Sequence, residues 1–146
     1  MTIAAVLKHK EGGRNVIAVP PSARISEVAE LISSRRIGAV LVLDDADTVL
    51  GILSERDVVK GLAQHGEAVL SLKASDLMTG NPTSVTPDTS IDHALEIMDA
   101  GYFRHLPVMQ AGQLAGIISV RDLVKYRIME HQHDVETLRA YVTRGA

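Results

Sequence analysis

Two sets of side chains with the same spacing could do chemistry: Ser54, Arg56 and Asp57, and Ser119, Arg121 and Asp122. Each closes a seven-residue unit. Gly51-Ile52-Leu53-Ser54-Glu55-Arg56-Asp57 returns 65 positions later as Gly116-Ile117-Ile118-Ser119-Val120-Arg121-Asp122. A glycine-led apolar strand, a serine and an Arg-Asp pair opening a helix are thus used twice. A serine and an aspartate three apart at a helix start match a capping box, in which each side chain accepts from the other's backbone N–H. Capping accounts for both residues and needs no ligand. It leaves Arg56 and Arg121 unexplained, because a cation in the first turn faces the positive end of the helix dipole, at a cost of about 0.3–1 kcal/mol. A bound phosphate would accept the free N–H groups and pair with the arginine. The carboxylate, with two acceptor oxygens, suits the two hydroxyls of a ribose. Both helix starts therefore point to a polar, phosphorylated small molecule.

The repeat reaches well beyond the motif, and self-similarity at a fixed offset marks one supersecondary unit used twice. Pro21, Ile25, Val28, Ala29 and Ile32 match Pro87, Ile91, Ala94, Leu95 and Met98. The apolar positions within each set fall at i, i+3, i+4 and i+7, one face of a helix. The run Ala39–Leu43 matches His105–Met109, and both read as strands buried on two faces. One residue is missing between these runs and the second glycine motif, where Asp44–Thr48 becomes Gln110–Gln113, and a loop is where such a change is absorbed. Each copy reads as strand, helix, strand, strand, helix. Residues 1–66 are expected to form the first repeat, 67–77 a linker, 78–128 the second repeat and 129–146 a helical extension. Ser54 should start a helix that runs to about Gln64 and stops at Gly66.

Bulk properties narrow the function classes. A chain of 146 residues with 46% hydrophobic content can bury a core shared between two halves. No apolar stretch reaches signal-peptide or membrane-spanning length, so no membrane partner and a cytoplasmic location are expected. The absence of cysteine excludes disulfide and thiol chemistry. A net charge of −3 with 15 basic residues argues against a nucleic-acid surface. No Ser-His-Asp set and no spaced pair of carboxylates is legible, and no enzymatic activity is expected.

The doubled Gly-apolar-apolar-Ser-x-Arg-Asp unit, with Phe103-Arg104-His105-Leu106-Pro107-Val108 before its second copy, resembles a pair of CBS domains, often called a Bateman module. The resemblance covers Thr2 to Ile128, nearly the whole chain, which is expected to stand alone rather than be attached to an enzyme, channel or transporter. It implies an α/β (α+β) fold of two β-α-β-β-α repeats related by a pseudo-twofold, with sheets face to face. It also implies two clefts for an adenosine-containing ligand: AMP, ADP or ATP, with NAD or S-adenosylmethionine also fitting. By the same resemblance, Ser54, Asp57, Ser119 and Asp122 hold phosphate and ribose, and Arg56, Arg121, Arg104 and His105 reach phosphates. The adenine would rest on Val16, Ile17 and Ala18 in one copy and Thr83, Ser84 and Val85 in the other.

Opposite Arg104 and His105 the first copy has Gly38 and Ala39, which are expected to take their place against the nucleotide, so charge is distributed unequally between the clefts. Arg35 and Arg36 are expected to be solvated at a helix end. Asp44, Asp45 and Asp47 are read as hairpin-loop residues, since a calcium loop's glycine and terminal glutamate are missing. His131 and His133 lie about 200° apart on a helix and cannot share one metal ion. Val124, Ile128, His131, Val135, Leu138 and Val142 form a heptad-like stripe that points to a homodimer. The expected function is ligand sensing without catalysis, reported to an unidentified downstream protein. The competing reading is a scaffold that dimerises, docks a partner and binds no nucleotide.

Overall fold

The computed structural model describes residues 1–10 and 16–145. The elements of the first half are α1 (Ile3–His9), β1 (Ala18–Val19), α2 (Ile25–Arg35), β2 (Ala39–Leu43), β3 (Val49–Ser54) and α3 (Glu55–His65). A 3-10 turn (Gly66–Ser71), α4 (Ala74–Leu77) and β4 (Thr79–Gly80) make the crossing. The second half holds α5 (Ile91–Gly101), β5 (His105–Gln110), β6 (Gln113–Ser119) and α6 (Val120–Gly145). The result is an α+β fold with two sheets, one of order β1-β2-β3-β4 and one of β5-β6, and a long C-terminal helix.

The apolar faces read from the sequence are the ones buried. Ile25, Val28 and Ile32 of α2 pack into one core with Val40, Val42 and Leu53, and Ile91, Ala94 and Met98 of α5 pack into the other with Leu106, Val108 and Ile118. Leu41, on the opposite face of β2, is also fully buried, as expected of a strand covered on both sides. Ser54 caps α3, and Gly66, at φ 61°, ends it. The β5–β6 turn has Ala111 at φ 51° and Gly112 at φ 76°, the two positive angles of a tight hairpin. The longer first hairpin is organised by Asp44, whose Oδ1 accepts from the backbone N–H groups of Ala46 and Thr48, both at 2.9 Å.

Three features differ from expectation. The first strand of each repeat is short: β1 pairs in parallel with β2 over two residues, and its second counterpart is a single bridge, Val85 to Val108. The stretch expected to be a linker is part of the first core, with Val69 and Ala74 buried, and β4 adds to the sheet beside β3 (Gly51 opposite Gly80, Ile52 opposite Thr79). Residues 3–9, expected within the first repeat, form a helix that packs against the second, where Ile3 and Val6 are buried.

The docking of α1 copies that of α4. Ala74 and Ser75 donate N–H bonds to the carbonyls of Ala23 (2.7 Å) and Pro21 (3.1 Å), while Ile3 and Ala4 donate to Thr89 and Pro87, both at 2.9 Å. Met78 lies against Gly51, where a Cβ would come within 2.6 Å of its sulfur, and Leu7 lies against Gly116, where a Cβ would come within 2.9 Å of Cδ2. Each glycine motif thus carries a short helix from outside its own repeat.

Candidate functional site

Both motifs are built as capping boxes. In the first, the Ser54 N–H donates to Asp57 Oδ2 at 2.9 Å and the Asp57 N–H to Ser54 Oγ at 3.3 Å, and the serine hydroxyl also reaches Oδ2 at 3.0 Å. In the second, the corresponding bonds of Ser119 and Asp122 are 2.8 and 3.1 Å. Each helix start is tied to the strand before it: Glu55 N–H donates to the Gly38 carbonyl and Val120 N–H to that of Arg104, both at 2.9 Å. These bonds explain why positions 38 and 104 lie beside the motifs.

A cavity of about 600 Å³ opens at Asp57, within the range of small-molecule sites. Ile52, Ser54, Arg56 and Asp57 line it from the first repeat, Thr79, Asn81, Pro82 and Thr83 from the crossing, and Tyr102, Phe103, Arg104 and His105 from the second repeat. Gly38 stands between them. The cavity thus brings together seven residues predicted from sequence: Gly38, Ser54, Arg56, Asp57, Thr83, Arg104 and His105. The other oxygen of Asp57, Oδ1, has no protein hydrogen-bond partner among the described residues.

Arg56 also finds its answer here. Its Nη1 donates to the Tyr102 carbonyl at 3.2 Å, at the end of α5, so its charge meets the negative end of another helix's dipole. That bond crosses from one repeat to the other.

His105 does the same in reverse. Its backbone pairs with Ser119 in the second sheet, while its ring lies so close to Gly38 that a Cβ there would sit 2.8 Å from Cε1. The uncharged first-copy residue opposite Arg104 is thus what makes room for the second copy's histidine. Burial pushes the His105 pKa below its ordinary value; Lys10 and Arg104 push the same way, and Asp122 and Glu55 oppose them.

The second motif is arranged differently. Lys10, just past α1, places its Nζ 3.0 Å from Asp122 Oδ2 and donates to the Ile117 carbonyl at 2.7 Å. Arg121 is exposed. The other predicted residues lie elsewhere. Ala39 and Val85 are core residues, Ala18 is in β1, and Ser84 is exposed beside the first cavity's Thr83. Val16 and Ile17 line a separate depression of about 860 Å³ with Arg35, Asp47, Met109 and Gln113, at the hairpin loops. That depression holds none of the Ser, Arg or Asp of the motifs.

Site residues missed from sequence include Lys10, Asn81 and Tyr102, and the cavity-lining Ile52, Thr79, Pro82 and Phe103. Lys10 and Asn81 sit in segments whose docking, not their periodicity, places them at a motif. The contribution of Tyr102 is a backbone carbonyl, which any residue type could supply.

Known proteins carry the same architecture. The family model for the CBS domain matches twice, at residues 13–64 and 74–129. A crystal structure of a CBS-domain containing protein from Agrobacterium tumefaciens is 43% identical and superposes with a TM-score of 0.83, covering 86% of this chain and 92% of that one. A CBS domain protein from Pyrobaculum aerophilum, solved in complex with AMP, is 26% identical with a TM-score of 0.72, over 84% of this chain and 89% of the other. An uncharacterized 17.7 kDa protein of Acidianus ambivalens is 35% identical over 117 residues, 80% of this chain and 70% of its own length. Some curated relatives are much longer, and the match spans as little as 19% of them. With two matched domains and two capping-box motifs, each with a short helix docked on its glycine, the chain belongs to the CBS-domain family as a tandem pair.

Proposed function

We propose that this CBS pair is a non-catalytic regulatory module that binds an adenine nucleotide or another adenosine-containing ligand in the Asp57 cleft. The observation that carries the reading is the cavity itself. It is walled by both repeats and the crossing between them, and it gathers Asp57, Ser54, Arg56, Arg104 and His105 around one space. Asp57 would take the ribose hydroxyls, and Ile52 and Thr83 would contact the base. Arg104, with Arg56 if it releases the Tyr102 carbonyl, would face phosphate. The AMP complex of the Pyrobaculum relative supports the ligand class.

A ligand in a cleft between repeats can change their relative arrangement only through a difference in affinity for two arrangements. The Arg56–Tyr102 bond is one contact that such a ligand would compete for. The partner that reads the change would be a second protein, and the module itself would act as a homodimer. No helix among the described residues is long and apolar enough to cross a membrane.

One observation favours the scaffold reading: both capping boxes are complete without any ligand. Thermal melts against AMP, ADP, ATP, NAD and S-adenosylmethionine separate the two. A ligand at a hundred times its Kd adds about 2.7 kcal/mol, or roughly 5–10 °C for a chain of this size. A shift with one ligand that Asp57→Ala abolishes is expected. No shift with any of the five would leave the motifs as helix caps.

A further inference from the structure

We infer that Lys10 is a built-in occupant of the second cleft, so that the chain takes one nucleotide, at Asp57, and not two. The inference rests on the adenosine-binding reading of the Asp57 cleft and assigns its stoichiometry to a single side chain.

Lys10 stands where the first cleft has Asn81. Each lies three residues beyond the side chain that packs on the motif glycine, Leu7 on Gly116 and Met78 on Gly51. Asn81 lines an open cavity, whereas Lys10 reaches into the motif. Its ammonium takes two acceptors, the Asp122 carboxylate at 3.0 Å and the Ile117 carbonyl at 2.7 Å. Ile117 is the repeat partner of Ile52, which lines the first cavity. The lysine therefore ties up the carboxylate of Asp122 and the carbonyl of Ile117, the second-copy counterparts of Asp57 and Ile52, two residues that line the first cavity. Asp57 has no cation on its carboxylate among the described residues.

The contact is preorganised. Ile3 and Val6 are fixed in the second core, Leu7 fills the space over Gly116, and the His9 ring lies 5.7 Å from that of Tyr126 on α6. With side chains 26% and 19% exposed, Lys10 and Asp122 are screened less by solvent than a surface pair. A ribose entering this cleft must displace the ammonium and leave it without its counter-ion, beside the His105 ring on which it already acts.

The test is calorimetric titration of the full chain with AMP, for the wild type, Lys10→Met, Asp57→Asn and the double variant Lys10→Met/Asp122→Asn. The wild type should bind one AMP per chain, and Asp57→Asn should lose it. Lys10→Met should bind one more than the wild type, and the added Asp122→Asn should remove that second site. A wild type that binds two, or a Lys10→Met variant that gains none, overturns the inference. The difference between Lys10→Met and the wild type decides the role of Lys10, and binding by the wild type alone decides the adenosine reading. An NMR titration of His105 needs no nucleotide. Removing the ammonium takes away a positive charge that lowers the His105 pKa, with Asp122, Glu55 and Arg104 unchanged, so that pKa should rise in Lys10→Met. An unchanged His105 titration would place the ammonium outside the cleft that the His105 ring and Asp122 share, and overturn the inference as well.

Discussion

His105 keeps its backbone on one repeat and its ring on the other, and that position governs how the pair responds to acid. Its folded pKa is lowered, chiefly by burial, so below the unfolded value of about 6.5 the unfolded chain binds more protons than the folded one. The contribution of the neutral ring is complete above pH 6.5 and is lost as the pH falls through the folded value. Urea midpoints should therefore drop from pH 7.5 to pH 5, and His105→Gln should make that drop smaller; an equal drop in both proteins would exclude the ring as its source. An anionic ligand near the ring favours its protonated form, so nucleotide affinity should rise over the same interval. Ser54 acts at the same scale but through the helix. Losing its cap in Ser54→Ala should cost about 0.5–2 kcal/mol without any ligand, measurable by denaturant unfolding.

The short helices α1 and α4 each complete the other element set's core, and they decide what each motif faces. Ile3 is 0% exposed, so Ile3→Ala should cost about 2–5 kcal/mol in chemical denaturation, as for any buried large-to-small change. A cost under 0.5 kcal/mol would mean that α1 is not docked. The two motif glycines should differ. A methyl at Gly51 meets the Thr79 backbone carbonyl at 2.7 Å as well as Met78, whereas at Gly116 it meets only the end of Leu7. Gly51→Ala should thus cost about 1–3 kcal/mol and Gly116→Ala less, since a flexible side-chain end can yield. Much at this scale was legible in the sequence. The faces of α2 and α5, the two hairpins and the α3 boundaries follow from periodicity and turn residues, and agreement between the copies reinforced each. The first strand of the second repeat shrinks to a single bridge: between Pro82 and Pro87 only Val85 offers an apolar residue for pairing, and proline has no N–H to give a ladder. Helix α1 is not legible from the repeat, because its match to α4 runs at a different offset from the rest. The Ser, Arg and Asp residues of the motifs were readable because they recur; Lys10 and Asn81 were not, since only docking brings them to a cleft.

At the scale of the molecule, α6 carries more apolar surface than its own chain covers. Its first turns pack on α5, α1 and β6, and Arg127 pairs with Asp92, but Val124, Ile128, Leu138 and Val142 remain 47–64% exposed. Covering that stripe with a second copy is the proposed basis of the homodimer, and deleting residues 132–146 should shift sedimentation toward the monomer; an unchanged profile would remove α6 from the interface. The pair then presents each partner with one open cleft per chain, at Asp57, and one occupied by Lys10. The most direct measurement of that account is an amide NMR titration with AMP. It predicts perturbations clustered at Ser54–Asp57, Asn81–Thr83 and Tyr102–His105, the three segments that wall the Asp57 cavity. Perturbations confined to the hairpin-loop depression around Ile17 and Gln113, or none at saturating AMP, would contradict it.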